Sequence, residues 1–188
     1  MNSSSTAVVT APSLALRRAI AVIAGAALVA AAAQIAVPLP GTPVPMTLQP
    51  LAVLLVGGWL GPRLGAASLV LYLALGATGL PVFTPYGLPG VARLIGPTGG
   101  YLLAYPVAAF AVGALAGTGA RWGRVGLGVT AGLALIHLGG AAQLLLLTGS
   151  AASAWRFGAL PFLVGDLVKL AIAVLLLKPS VSPVRARL

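Results

Sequence analysis

Pro161-Phe162-Leu163-Val164-Gly165-Asp166-Leu167-Val168-Lys169 stands inside an apolar run, Phe157 to Leu177, that reads as a membrane-spanning helix. Asp166 is the one acidic residue among 188, and Lys169 is the one lysine within an apolar segment. Hydrocarbon penalises such groups: Asp or Lys at mid-helix costs about 2.5–3.5 kcal/mol on insertion scales, so each persists with a partner or a ligand. The spacing i, i+3 puts both on one helix face, with Asp166 about one to two turns inside the span. Two readings fit. The pair is a self-neutralising internal bridge, or it is a binding site in which Asp166 accepts ligand N–H groups and Lys169 donates to a carbonyl or carboxylate. Ionisable residues inside a membrane default to function, which favours the second.

The composition agrees with a membrane setting. Hydrophobic residues make up 60% and charged residues 6% of the chain, and mean hydropathy is +1.09. A soluble domain carries about a quarter of its residues charged. The 25 glycines and 15 prolines suit helices that pack closely or are interrupted. A net charge of +10 raises nucleic acid as a partner, but the arginines punctuate apolar segments and form no stripe. One Asp, no Glu, one His and no Cys cannot supply the three ligands of a catalytic metal or a carboxylate pair for acid–base work. No Gly-x-Ser-x-Gly elbow surrounds Ser68, which otherwise invites pairing with His137. Neither an enzyme nor a metal or cofactor is expected.

Apolar runs fall at Leu14–Val37, Leu48–Leu60, Leu64–Leu80, Gly99–Leu115, Val125–Thr148 and Ala159–Leu177. Crossing the hydrocarbon takes about 20 helical residues, so Leu48–Leu60 is short. Charge resolves its status. With six spans and a cytoplasmic N-terminus, Arg17, Arg18, Arg63, Arg121, Arg124, Lys178, Arg185 and Arg187 lie inside and only Arg93 and Arg156 outside, eight against two. Omitting the second span gives at best six against four. The positive-inside rule therefore predicts an all-α protein of six transmembrane helices with both termini cytoplasmic. Arg17 and Arg18 before an Ala-rich stretch resemble a signal peptide, but the run exceeds the usual h-region of about 7–15 residues. Residues 1–12 and 179–188 are expected to be disordered tails around a six-helix domain at 13–178.

Two loops on the predicted outer side stand out. Pro38-Leu39-Pro40-Gly41-Thr42-Pro43-Val44-Pro45 has four prolines in eight residues and is expected to be stiff and extended. The second, Leu80 to Pro97, holds Tyr86 and Arg93 and leads into Gly96-Pro97-Thr98-Gly99-Gly100-Tyr101. Backbone N–H groups at such a helix start can bind an anion or a carbonyl, but the Gly-Lys-[Ser/Thr] ending of an ATP-binding loop is missing. Arg93 fits either a cap that pairs with an anionic ligand or an interfacial arginine. His137 reads as a buried, hydrogen-bonded neutral histidine rather than a proton relay. Gln34, Gln49, Gln143 and Tyr72 are expected to bond between helices.

Six stretches together resemble the BioY family, the biotin-specific substrate-binding (S) components of energy-coupling factor (ECF) vitamin transporters. They are residues 34–40, residues 43–49, Gly61-Pro62-Arg63-Leu64-Gly65, Gly79-Leu80-Pro81-Val82-Phe83, Gly96 to Tyr101, and the Pro161–Lys169 segment. These occur in the family's order over residues 30–175. The family's Gly-Gly-x-Gly-Gly after Pro-Val-Phe is replaced here by Thr84-Pro85-Tyr86-Gly87-Leu88-Pro89-Gly90.

The resemblance implies a biotin-binding protein of the bacterial or archaeal cytoplasmic membrane, with Asp166 and Lys169 lining the pocket. Arg93, Tyr101, Gly99, Gly100, Tyr86 and Thr84 are the further substrate-binding candidates. It implies as partners a transmembrane coupling protein and two ATPases, the coupling protein meeting small residues of the first helix such as Ala15 and Ala19 or Ala21 and Gly25. Biotin offers ureido N–H groups for Asp166, a carbonyl or carboxylate for Lys169, and a ring for apolar walls. A stand-alone secondary transporter of a small anion, with Asp166 carrying a proton, and a non-transporting scaffold are the competing readings.

Overall fold

The computed structural model describes residues 13–118 and 121–188, so the expected tail at 1–12 lies outside the described residues. Ser13 caps the first helix, α1 (Leu14–Gln34), its hydroxyl accepting the Leu16 N–H at 3.3 Å. The proline-rich loop then runs between two short strands, β1 (Ala36–Val37) and β2 (Met46–Thr47). They pair antiparallel with Ala36 opposite Thr47 and Val37 opposite Met46. The stiff loop is thus closed at its base by a ribbon that the all-α reading omits.

Helix α2 (Gln49–Ala77) is not one rod. Gly61 lies at φ 81°, ψ 179°, a region open essentially to glycine alone, and Pro62 restarts the helix behind it. The chain doubles back there. A Cβ on Gly65 would sit 3.0 Å from the Gly57 Cα, although eight residues of straight helix span about 12 Å. Gln49 Nε2 likewise donates to the Tyr72 hydroxyl at 2.5 Å, where a straight helix would separate the two by about 35 Å. The two limbs match the short second and the third apolar runs of the sequence. Among the described residues, five helical stretches are long and apolar enough to cross a membrane: α1, α2, α4 (Gly99–Ala116), α5 (Trp122–Thr148) and Ala151–Arg185.

The α2 hairpin, α4 and α5 meet almost backbone to backbone. A Cβ on Gly57 would lie 2.4 Å from the Ala109 carbonyl oxygen, one on Gly113 2.4 Å from the Pro62 nitrogen, and one on Gly100 2.1 Å from the Gly139 carbonyl oxygen. Small residues permit this approach where no difference in hydrophobicity drives helices together. Between α2 and α4 lies the short helix α3 (Val91–Ile95). In α1, Gly25 packs on Ser68 and so serves an internal contact, while Ala15 and Ala19 stay exposed.

The last run differs from its sequence reading at both ends. A separate helix, α6 (Ala151–Gly158), precedes it, and its first residues form a 3₁₀ turn at Leu160–Phe162 with Pro161 in the first turn. Helix α7 (Leu163–Arg185) starts only then, so Asp166 falls in its first turn rather than deeper. At the far end α7 continues past Pro179 and Pro183, and the expected tail at 179–188 is helical as far as Arg185. Side chains hold it there. Arg185 donates from Nε to the Gly58 carbonyl at 2.9 Å, from Nη1 to Gly117 at 2.8 Å and from Nη2 to Gly113 at 3.0 Å. Trp59 Nε1 donates to the Ser180 hydroxyl at 2.6 Å.

Gly61→Ala is predicted to destabilise the protein by about 1–3 kcal/mol, the cost of a residue forced into a glycine-only conformation. Gly123→Ala, where a Cβ meets open space, is the control and changes stability little. Thermal unfolding of the two variants in one detergent checks this; equal melting temperatures would contradict the hinge.

Candidate functional site

The hairpin brings the start of α2 beside the starts of α4 and α7 and the later half of α5. A cavity opens at this end of the bundle, with about 550 Å³ of empty space counted out to its mouth. Val44, Pro45, Phe83, Leu102, Ile136 and Phe162 supply apolar wall. The positive ends of three helix dipoles, those of α2, α4 and α7, point toward it.

Asp166 and Lys169 lie on the cavity wall, both buried, with Lys169 Nζ donating to Asp166 Oδ1 at 3.0 Å. The second carboxylate oxygen has a partner from another helix: His137 Nε2 on α5 lies 2.5 Å from Oδ2. The sequence reading treats His137 as a buried, hydrogen-bonded histidine without naming its partner; the structure supplies the partner and leaves the ring only partly buried. The signal was that the chain's only His and only Asp both sit inside apolar runs. Tyr101 stands edge-on to the His137 ring, centroids 6.1 Å apart, and Phe162 lies on it at 6.2 Å.

Tyr101 lines the cavity and donates its hydroxyl to the Gly158 carbonyl at 2.6 Å, tying α4 to the end of α6. Arg93 also reaches the cavity, but its guanidinium is occupied. Nε donates to the Leu88 carbonyl at 2.7 Å, Nη1 to the Thr84 hydroxyl at 2.7 Å and to the Tyr86 carbonyl, and Nη2 to the Thr84 carbonyl at 3.0 Å. Four of five N–H donors thus serve loop 84–88, leaving no free fork for bidentate capture of a carboxylate. Burial lowers the Arg93 pKa from its ordinary value, yet an arginine stays charged in proteins.

Of the sequence candidates, the cavity gathers Asp166, Lys169, Arg93, Tyr101 and Thr84. Gly99, Gly100 and Tyr86 are not among its lining residues. The two glycines answer to packing: a Cβ on Gly99 would lie 1.9 Å from the Leu94 carbonyl oxygen, and Gly100 meets Gly139. Tyr86 is exposed and contributes its carbonyl to Arg93. Gln49, Thr47, Thr98 and Tyr105 are polar lining residues that the sequence reading did not place there. Gln49 accepts from the Thr47 hydroxyl at 3.3 Å while donating to Tyr72, so it braces the wall as well as the hairpin. Thr42 in the proline-rich loop, whose Val44 and Pro45 line the cavity, donates to the Phe157 carbonyl of α6 at 2.7 Å.

With Asp166 ionised, Arg93 and Lys169 leave this cavity one positive charge in excess. It is suited to a small anion with an apolar body and N–H donors.

Residues 3–186 match the profile of the BioY family. The chain is 44% identical over 150 residues to the probable biotin transporter BioY of Pyrococcus horikoshii, covering 80% of this chain and 87% of the relative. It is 37% identical over 150 residues, with the same shares, to the biotin transporter BioY of Thermotoga maritima. Among solved structures it superposes on the S-component for biotin from an ECF-type ABC transporter with a TM-score of 0.79. The two are 25% identical, and the match covers 90% of this chain and 94% of that one.

Arg93→Lys is predicted to loosen loop 84–88, because an ammonium cannot replace a fork bonded to three carbonyls and a hydroxyl. Faster amide hydrogen exchange at Tyr86–Leu88, with the helices unchanged, is the expected readout. Unaltered protection would show that the loop does not rely on Arg93.

Proposed function

Since the chain belongs to the BioY family, we propose that it binds biotin in the cavity around Asp166 and acts as the specificity subunit of an ATP-driven importer of the ECF type. It is a multi-pass membrane protein and a transport protein, not an enzyme. The reading rests on one observation above all: a buried Asp166–Lys169 pair on the wall of an otherwise mostly apolar cavity. Asp166 accepts ureido N–H, Lys169 donates to the carbonyl or the carboxylate, and the apolar wall receives the ring. Thr84 and Tyr101 line the same cavity, and the excess positive charge matches an anionic vitamin. Gly99 and Gly100 act one step back, Gly99 by letting α4 start against Leu94 of α3 and Gly100 by letting it pack on Gly139 of α5.

The membrane is the cytoplasmic membrane of a bacterium or archaeon, crossed six times with both termini inside. Two observations support this: the fold-back of α2 at Gly61 supplies two crossings from one helical stretch, and eight of ten flanking cations then fall on the inner side. The partners are a transmembrane coupling protein and two ATPases, for which the exposed α1 face at Ala15 and Ala19 offers a close-approach surface.

Equilibrium binding of labelled biotin to the detergent-purified protein tests the ligand. Asp166→Asn is expected to weaken binding by about 10- to 100-fold, since a charge-assisted bond contributes about 1.5–3 kcal/mol. An unchanged Kd would remove Asp166 from the site, and no binding by monodisperse wild-type protein would remove biotin. Topology is open to direct test because the chain has no cysteine of its own. Leu88→Cys, at an exposed loop position, should react with an impermeant maleimide added outside intact cells, and Arg187→Cys only after lysis. The reverse pattern would invert the orientation.

A further inference from the structure

We infer, on the strength of the biotin reading above, that His137 is a positioning residue of the ligand site: it holds the Asp166 carboxylate from α5 and so fixes which lone pairs face biotin. A carboxylate has two oxygens and about four lone-pair sites, and the terminal torsion of Asp is broad. Lys169 alone, one turn away on the same helix, would leave that torsion loosely set. The structure adds a second anchor from a different helix, with Lys169 on Oδ1 at 3.0 Å and His137 on Oδ2 at 2.5 Å. The carboxylate plane is then set across α5 and α7, and one lone pair on each oxygen remains for ligand N–H.

The imidazole is itself oriented. An ionised carboxylate has no donor to offer, so Nε2 carries the hydrogen. Nδ1 is buried without a hydrogen-bond partner among the described residues. An unpaired Nδ1–H on a charged ring would cost more than a bare lone pair, which favours the neutral Nε2–H tautomer. Tyr101 from α4 and Phe162 before α7 confine the ring on two sides. The groups around His137 are thus one carboxylate, one ammonium and one phenol, and its single hydrogen bond goes to the carboxylate that the ligand would meet.

The test compares His137→Leu with His137→Gln, both as full-length protein in detergent, by biotin titration and thermal unfolding. Leu, which cannot donate, should weaken biotin binding at least tenfold; Gln, whose amide can reach Asp166, should stay within about threefold of wild type. Because His137 is the only histidine, [15N]histidine labelling gives one imidazole signal pair. The Nε2 resonance of the wild type should shift when biotin is added. Wild-type affinity in the Leu variant, or equal losses in Leu and Gln, would overturn this role while leaving the biotin reading intact. Wild-type protein that takes no biotin would overturn both. Should the Leu variant not fold, an Nε2 resonance unmoved by saturating biotin overturns the role on its own.

Discussion

A single carboxylate placed in an apolar bundle has to be satisfied locally, and Asp166 is held from two helices at once, by the Lys169 charge and by the His137 hydrogen bond. Lys169 answers it from α7 and His137 from α5, so the charge that chemistry needs is also the tie between those helices at the open end of the bundle. Removing one partner of such a cluster is costlier than never having built it, because a buried charge is left behind. The wall of the cavity is therefore organised around the acid, with Tyr101 and Phe162 packed against the histidine that serves it.

The arginines show how a donor-poor chain satisfies its own carbonyls. Pro81, Pro85 and Pro89 bring no N–H to the 80–90 segment. The carbonyls of Thr84, Tyr86 and Leu88 turn instead to the Arg93 fork. Arg185 does the same at the other end of the bundle, accepted by Gly58, Gly113 and Gly117. A cation read from sequence as a ligand contact or a topological marker is, in the fold, also a cap on exposed backbone.

Legibility followed the range of the interactions. The pairing of Asp166 with Lys169 was visible because i, i+3 neighbours share a helix face whatever the tertiary structure. The fold-back at Gly61 was visible in outline because charge on either side of a short apolar run is a one-dimensional signal. His137 meeting Asp166 across 29 residues is a tertiary event with no local trace. The packing contacts of Gly99 and Gly100 were illegible for a related reason: a glycine that admits a ligand and one that admits a neighbouring backbone look the same in a sequence. The helical end of α7 has no local trace either: Pro179 and Pro183 disfavour a helix in isolation, and the bonds of Ser180 and Arg185 that accompany it come from residues far away in sequence.

The glycine contacts between the α2 hairpin, α4 and α5 have a mechanical consequence. Where backbones touch, no side chains stand between them to change rotamer, so the seam cannot yield by small repacking. Gly57 against Ala109, Gly113 against Pro62 and Gly100 against Gly139 are contacts of this kind. A bundle stitched in that way behaves as a stiff block, with compliance confined to the covering loops. A substitution that adds even one methyl along this seam then has nowhere to be absorbed locally, and its strain passes to the helix axes themselves.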